Sequence, residues 1–194
     1  MDKIMVGVTT RNKAGYLAMS LRHNLLLAGR EFIPYDVVWV AIDDAANDDG
    51  ETWRVLSSMH PAISSIRNPE QRGITGTKNM LFEMAAGCKY LVALDDDLLL
   101  GYHWLVELIE IADTLDSIGL LAPYVCNDRN MQNKLDQLEL GGGAVPDAIE
   151  VDGFGAACVV IPQGVFKKYK YPVKPLYGYE DAAFHGMVQR EFPL

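Results

Sequence analysis

Positive charge is in short supply: 17 lysines and arginines stand against 26 aspartates and glutamates, for a formal charge of -9. That balance excludes a broad electropositive footprint, so nucleic acid and anionic membrane are disfavoured as partners, although local basic patches stay open. Cysteine is equally sparse. The 3 residues Cys88, Cys126 and Cys158 are odd in number, widely spaced and set among apolar neighbours, with no Cys-x-x-Cys pair. This excludes a zinc ribbon or dithiol redox site and reads as buried thiols of a reducing compartment. There is no Gly-x-Gly-x-x-Gly and no Gly-x-x-x-x-Gly-Lys-Ser/Thr, so neither a dinucleotide fingerprint nor a P-loop is supported. No apolar run is long enough to cross a bilayer, and Met1-Asp2-Lys3-Ile4 turns directly into a strand-like segment. The expectation is a cytoplasmic protein without a transmembrane segment or leader. Internal repeats and low-complexity tracts are absent.

What is present suits a single globular core over residues 1–194, with 49% hydrophobic and 22% charged residues. Strand and helix signals alternate, the pattern of an α/β domain with a mostly parallel sheet. Strands are expected at Ile4–Val8, Val37–Ile42, weakly at Ile63–Ile66, and at Tyr90–Leu94. Between them fall a helix with Leu17, Leu21, Leu25 and Ala28 on one face, a short helix over Thr52–Met59, and a helix over Thr77–Ala86. A further helix carries Leu105, Leu108, Ile109, Ala112 and Leu115, with Glu107, Glu110 and Asp113 facing water. Beyond Gly119 the pattern loosens into shorter strands over 120–125 and 156–161, expected to be antiparallel, with Gly141-Gly142-Gly143 in a mobile connection. A last helix starts near Glu180-Asp181.

The chemistry gathers where strands end. Asp95-Asp96-Asp97 follows one apolar run and precedes another, Leu98-Leu99-Leu100. Three adjacent negative charges between core segments repel one another, and a bound cation relieves that repulsion. In extended backbone Asp95 and Asp97 share one side and Asp96 takes the other. Such a pair suits Mn2+ or Mg2+, which keep open positions for water and substrate phosphates. The strand over 37–42 also ends in carboxylates, Asp43-Asp44, and the first strand ends at Thr9 and Arg11. In open α/β sheets ligands bind beyond the carboxyl ends of strands. An arginine among these acids can hold a diphosphate. Lys78 and Arg72 reach a diphosphate or are ordinary surface cations. His185, one helical turn after Asp181, is a metal or phosphate ligand or a hydrogen-bonded histidine of a half-buried helix. Trp104, Tyr177 and Tyr179 offer sugar platforms or core packing.

Together these marks resemble the family 2 glycosyltransferases, inverting enzymes of GT-A fold that use nucleotide-sugars. Val6-Gly7-Val8-Thr9-Thr10-Arg11-Asn12-Lys13 is similar to the family's opening strand and nucleotide-contacting loop. Ile42-Asp43-Asp44 resembles its acidic pair, which implies that Asp44 pairs with the base, usually uracil; Ala45-Ala46 stand where Gly-Ser is more usual. Gly73 through Lys78-Asn79 is similar to the segment before the metal strand, where arginine is commoner than Lys78. Asp95-Asp96-Asp97 matches the metal-binding DXD signature, which implies Asp97 as the direct ligand and Asp95 facing the sugar or ribose. Glu180-Asp181 resembles the pair whose aspartate is the catalytic base.

The resemblance therefore implies a GT-A-like Rossmann-type sandwich, with a mixed, mostly parallel sheet and a small antiparallel C-terminal part. Residues 1–100 would form the nucleotide-sugar half and 101–194 the acceptor side. The expected activity is metal-dependent, inverting transfer from a UDP-linked sugar to an acceptor hydroxyl. Thr9, Arg11, Asp43, Asp44, Lys78, Asp95, Asp96 and Glu180 would contact substrate, Asp97, Asp95 and His185 the metal, and Asp181 the acceptor proton. Two other readings stay open. A nucleotidyltransferase uses a similar scaffold but usually a glycine-rich basic loop after its first strand, and a non-catalytic nucleotide-sugar-binding module needs no base at Asp181.

Overall fold

The structure, a computed structural model, describes residues 2–29, 33–115, 118–123, 157–172 and 180–192. Its elements run β1 (Lys3–Thr10), α1 (Ala14–Ala28), β2 (Asp36–Asp43), α2 (Glu51–Ser57), β3 (Ser64–Arg67), α3 (Gly73–Met84), β4 (Tyr90–Asp95), α4 (Trp104–Thr114), β5 (Cys158–Pro162), α5 (Gln163–Lys168) and α6 (Glu180–Gln189). The strands form one five-stranded sheet in the order β3-β2-β1-β4-β5, parallel except where β5 runs antiparallel to β4. This is the expected mixed α/β class. The strand expected over 120–125 contracts to one antiparallel bridge, Leu121 to Val160, with Tyr124 and Val125 outside the described residues. Pro123 has no N–H to extend the ladder. Cys126, the glycines at 141–143, Tyr177 and Tyr179 also lie outside them. Among the described residues no helix is long and apolar enough to cross a membrane.

Strand alternation splits the core in two. Ile4, Val6 and Val8 of β1 face one side with Leu17, Leu21, Leu56, Leu105 and Ile109, and Met5 faces the other with Leu81, Phe82, Phe166 and Phe184. Each fully buried side chain of this kind contributes about 1.5–3 kcal/mol. Right-handed crossovers account for the split: the chain builds β1, β2 and β3 outward and then returns past β1 to lay down β4, bringing α3 to the opposite face from α1 and α2. At Gly7 an added Cβ would lie 2.9 Å from Leu81 Cδ1, so the glycine is what lets α3 lie close on the central strand. On the same face Phe82 packs on Tyr171 at 5.5 Å between ring centroids, and Tyr171 stacks on Phe184 at 4.3 Å.

α1 holds the loop that follows β4. Asn24 Nδ2 donates to Leu98 O at 2.9 Å, Leu100 N donates to Asn24 Oδ1 at 3.0 Å, and Ser20 Oγ donates to Asp96 O at 2.5 Å. These bonds satisfy backbone groups that a buried loop would otherwise leave unpaired. Trp104 is buried with its ring edge-on to Trp39 at 6.2 Å, so it is core and not a sugar platform. Asp113, expected to face only water, accepts from Lys89 at 2.7 Å and Tyr90 at 2.9 Å near the amino ends of the strands. Burial, reinforced by Asp113, pushes the Tyr90 hydroxyl up to about 12.

Candidate functional site

Strand register brings the acids together. Thr9 of β1 is level with Asp95 of β4, and Thr10 with Asp43 of β2, so the three carboxyl ends open onto one place. The sheet order reverses between β1 and β4, the switch point at which open α/β sheets bind ligands. A cleft of about 330 Å³ lies there, lined by Thr9, Arg11, Lys13, Asp44, Gln71, Gly73, Ile74, Thr77 and all three of Asp95, Asp96 and Asp97.

Asp43 and Asp44 part company at the end of β2. Asp43 is fully buried, with Oδ1 accepting from Ala46 N at 2.8 Å and Oδ2 paired to Arg67 Nε at 3.3 Å; it shapes the turn and does not line the cleft. Asp44 does line it. Its Oδ1 accepts from Asn68 Nδ2 at 2.9 Å and from Arg72 N at 2.8 Å, and its Oδ2 accepts from Gly73 N at 2.9 Å. The carboxylate thus caps α3 from a distance, which is why that helix begins at Gly73 and not at Thr77 as its local pattern suggests. A carboxylate offers about four lone-pair sites, so Oδ2 retains room for one more donor from the cleft.

The turn that follows them holds Ala45 at φ 52°, a left-handed conformation that a side chain disfavours. Ala45→Gly is expected to raise stability by about 0.5–1 kcal/mol, the cost of that Cβ net of glycine's extra unfolded-state entropy. Chemical denaturation of the two proteins checks it, and an unchanged or lower midpoint would show that the turn is unstrained.

The Asp triplet does not keep strict alternation, because β4 ends at Asp95 and the chain turns at Asp96 and Asp97. Asp96 Oδ2 accepts from Thr10 Oγ1 at 2.6 Å, and Asp97 Oδ2 accepts from Lys13 Nζ at 2.6 Å. Burial pushes the Asp95 carboxyl up to about 6; Lys78 opposes this, while Asp181, Asp97 and Asp96 reinforce it. Arg11 lines the cleft with its Nε shielded from solvent and without a hydrogen-bond partner among the described residues. A buried donor left open in this way is uncommon in a folded protein.

Behind Asp95 lies a second charged group. Lys78 Nζ, nearly buried, donates to Asp181 Oδ1 at 2.8 Å and lies 5.0 Å from the centre of the Tyr171 ring. Lys78 is therefore engaged by the acid and not directed at the cleft. Glu180 and His185 are buried on α6, and burial holds the His185 imidazole below its ordinary value. Among the described residues no three His, Cys, Asp or Glu side chains gather into a ready metal cluster. Asp95 and Asp97, which line the cleft with Asp96 and have Lys13 drawn to them, still fit a divalent ion. Mg2+-like ions are usually held by one or two carboxylates, with phosphates and water as the remaining ligands.

The sequence pointed to Thr9, Arg11, Asp44 and Asp95 to Asp97, and these meet in one cleft; Asp43 and Lys78 are turned to other partners. Lys13 had no role of its own beyond its place in the loop after β1, and the wall formed by Gln71, Ile74 and Thr77 was not singled out residue by residue. Only the distance from the end of β1 to the Asp triplet across parallel neighbours could have flagged Lys13.

A family model described as Glycosyl transferase family 2 matches residues 5–171. Comparison with curated proteins gives no match. Among solved structures, the mannosyltransferase PcManGT from Pyrobaculum calidifontis in complex with GDP-Man and Mn2+ is similar at 19% identity and a TM-score of 0.71, over 95% of this chain and 51% of that one. TarS 1-349 from S. aureus in complex with UDP is similar at 15% identity and a TM-score of 0.71, over 96% of this chain and 54% of that one. The same protein in complex with UDP-GlcNAc gives 16% identity and 0.69, over 94% and 52%. The chain spans about half the length of these structures, and at such identities the likeness shows the fold.

Proposed function

The chain belongs to glycosyl transferase family 2, and on that premise we propose that it moves a sugar from a nucleotide-diphosphate sugar, UDP-linked, to an acceptor hydroxyl with inversion. The observation that carries this reading is the convergence of Arg11, Asp44 and Asp95 to Asp97 from three strand ends on one cleft. The similar structures hold GDP-Man with Mn2+, UDP and UDP-GlcNAc, which supports a nucleotide-sugar as the ligand class.

Each side chain then has a task. The open acceptor position on Asp44 Oδ2 takes an N–H of the base. Arg11 turns its unpaired Nε and guanidinium toward the diphosphate. Asp97 and Asp95 would hold Mn2+ or Mg2+, which when bound supplies several kcal/mol of stabilisation to charge on the departing diphosphate. Asp181 accepts the proton of the attacking hydroxyl, and Lys78 keeps its carboxylate oriented. The acceptor is met on the side formed by residues 101–194, from which Asp181 comes.

Thermal unfolding against a panel of UDP- and GDP-sugars, with Mn2+ or with EDTA, tests the reading. A UDP-sugar with Mn2+ should stabilise the protein, by about 2.7 kcal/mol at 100 times its Kd. If no nucleotide-sugar stabilises the protein with metal present, the proposal fails.

A further inference from the structure

Asp97, the half-exposed acid proposed as the direct metal ligand, already has a cationic partner in this chain. Lys13 Nζ lies 2.6 Å from Asp97 Oδ2 and 3.9 Å from Asp96 Oδ1. The two ends of this lysine differ. Its backbone is fixed at the start of α1, where Leu17 N donates to Lys13 O at 2.9 Å. Its side chain is 43% exposed, and its ammonium lies 5.6 Å from the centre of the exposed Tyr16 ring, on the rim of the cleft. A four-carbon stem on an anchored backbone can swing its ammonium over several ångströms.

A divalent ion on Asp97 Oδ2 would stand close to the ammonium already bonded there. A metal–oxygen bond is about 2.0–2.1 Å, so an ammonium kept at its present distance from the same oxygen would lie within about 5 Å of a doubly charged ion. The repulsion between them exceeds what an exposed ion pair returns. An incoming diphosphate reverses the sign, because it offers Lys13 new anionic oxygens beside the one it must leave.

We propose that Lys13 is an exchangeable counter-ion of the donor site: it neutralises Asp97 before the donor binds, and turns to the diphosphate once Asp97 is taken up by the divalent ion. The inference rests on the metal-dependent reading of the cleft and adds a residue to it. It makes binding of free metal weak and binding of metal together with diphosphate strong, so that Asp97 is released chiefly when both substrate parts are present.

Titration of Mn2+ alone, followed by electron paramagnetic resonance, and calorimetric titration of UDP at saturating Mn2+ test the exchange in wild type, Lys13→Met and Asp97→Asn. Neither readout depends on turnover. Lys13→Met should fold normally, since an exposed pair contributes little to stability. It should bind free Mn2+ about 5- to 30-fold more tightly than wild type, the effect of one to two kcal/mol, and bind UDP with Mn2+ more weakly by a similar factor. Lys13→Arg should restore the UDP affinity. If Lys13→Met binds free Mn2+ no more tightly while Asp97→Asn loses it, the exchange is overturned and the metal site stands. If UDP affinity is unchanged in Lys13→Met, the turn to the diphosphate is overturned. If neither wild type nor variant binds Mn2+ with or without UDP, the metal reading itself fails, and the exchange with it.

Discussion

Replacing Asp181 by asparagine is expected to lower kcat by about 10²–10⁴-fold, the usual contribution of a positioned base, while leaving UDP affinity nearly unchanged. The substitution keeps the shape of the side chain and an oxygen for Lys78 Nζ, which now lies 2.8 Å away, but removes the ability to take a proton. The surrounding packing should hold, because Phe184 and Val188 bury α6 against Phe82 and Tyr171, and asparagine keeps an acceptor oxygen for the Tyr171 hydroxyl beside it. Asp181 also lies in the first turn of its helix, where the dipole favours an acid regardless of function. Turnover separates the two roles. Unaltered kcat would reduce Asp181 to a helix-terminal carboxylate. Loss of UDP binding together with kcat would mark a structural role for the Lys78 pair. A wild type that binds UDP-sugar but neither transfers nor hydrolyses it would favour the non-catalytic module.

Asp97→Asn should abolish the gain in UDP affinity that Mn2+ provides and depress turnover by at least about 10²-fold, since several kcal/mol of leaving-group stabilisation depend on the ion it would hold. The fold is expected to survive intact. Asp97 is half-exposed, and its contact with Lys13 is of the kind that contributes about 0–1 kcal/mol. Parallel titrations of UDP with Mn2+ and with EDTA give the coupling directly. An equal Mn2+ effect in wild type and variant would remove Asp97 from the ligand set.

The sheet was legible because buried strands between helices leave period and length signatures that need no partner to read; β1, β2 and β4 fall within two residues of their expected ends. Contacts across long separations were not legible. Nothing near Gly73 announces that Asp44 will cap its helix, so α3 begins four residues before its apolar pattern suggests. Asp43 and Asp44 look alike in one dimension, yet the turn after β2 sends the first into the core beside Arg67 and the second into the cleft. Lys78 reads as a phosphate-seeking cation until the fold brings Asp181, 103 residues away, to its ammonium. Lys13 shows the same limit from the other side: its role depends on Asp97, 84 residues on. In each case residue type was a fair guide to chemistry, and the fold decided which partner the chemistry met.

The account stands on the claim that acids from two strand ends and an arginine from a third make one nucleotide and metal site. Calorimetric titration of the wild-type protein with UDP, in Mn2+ and again in EDTA, measures it most directly. One UDP per chain should bind in Mn2+, with affinity falling at least about tenfold, or 1.4 kcal/mol, in EDTA. Absence of UDP binding in Mn2+, or affinity indifferent to the metal, would contradict it.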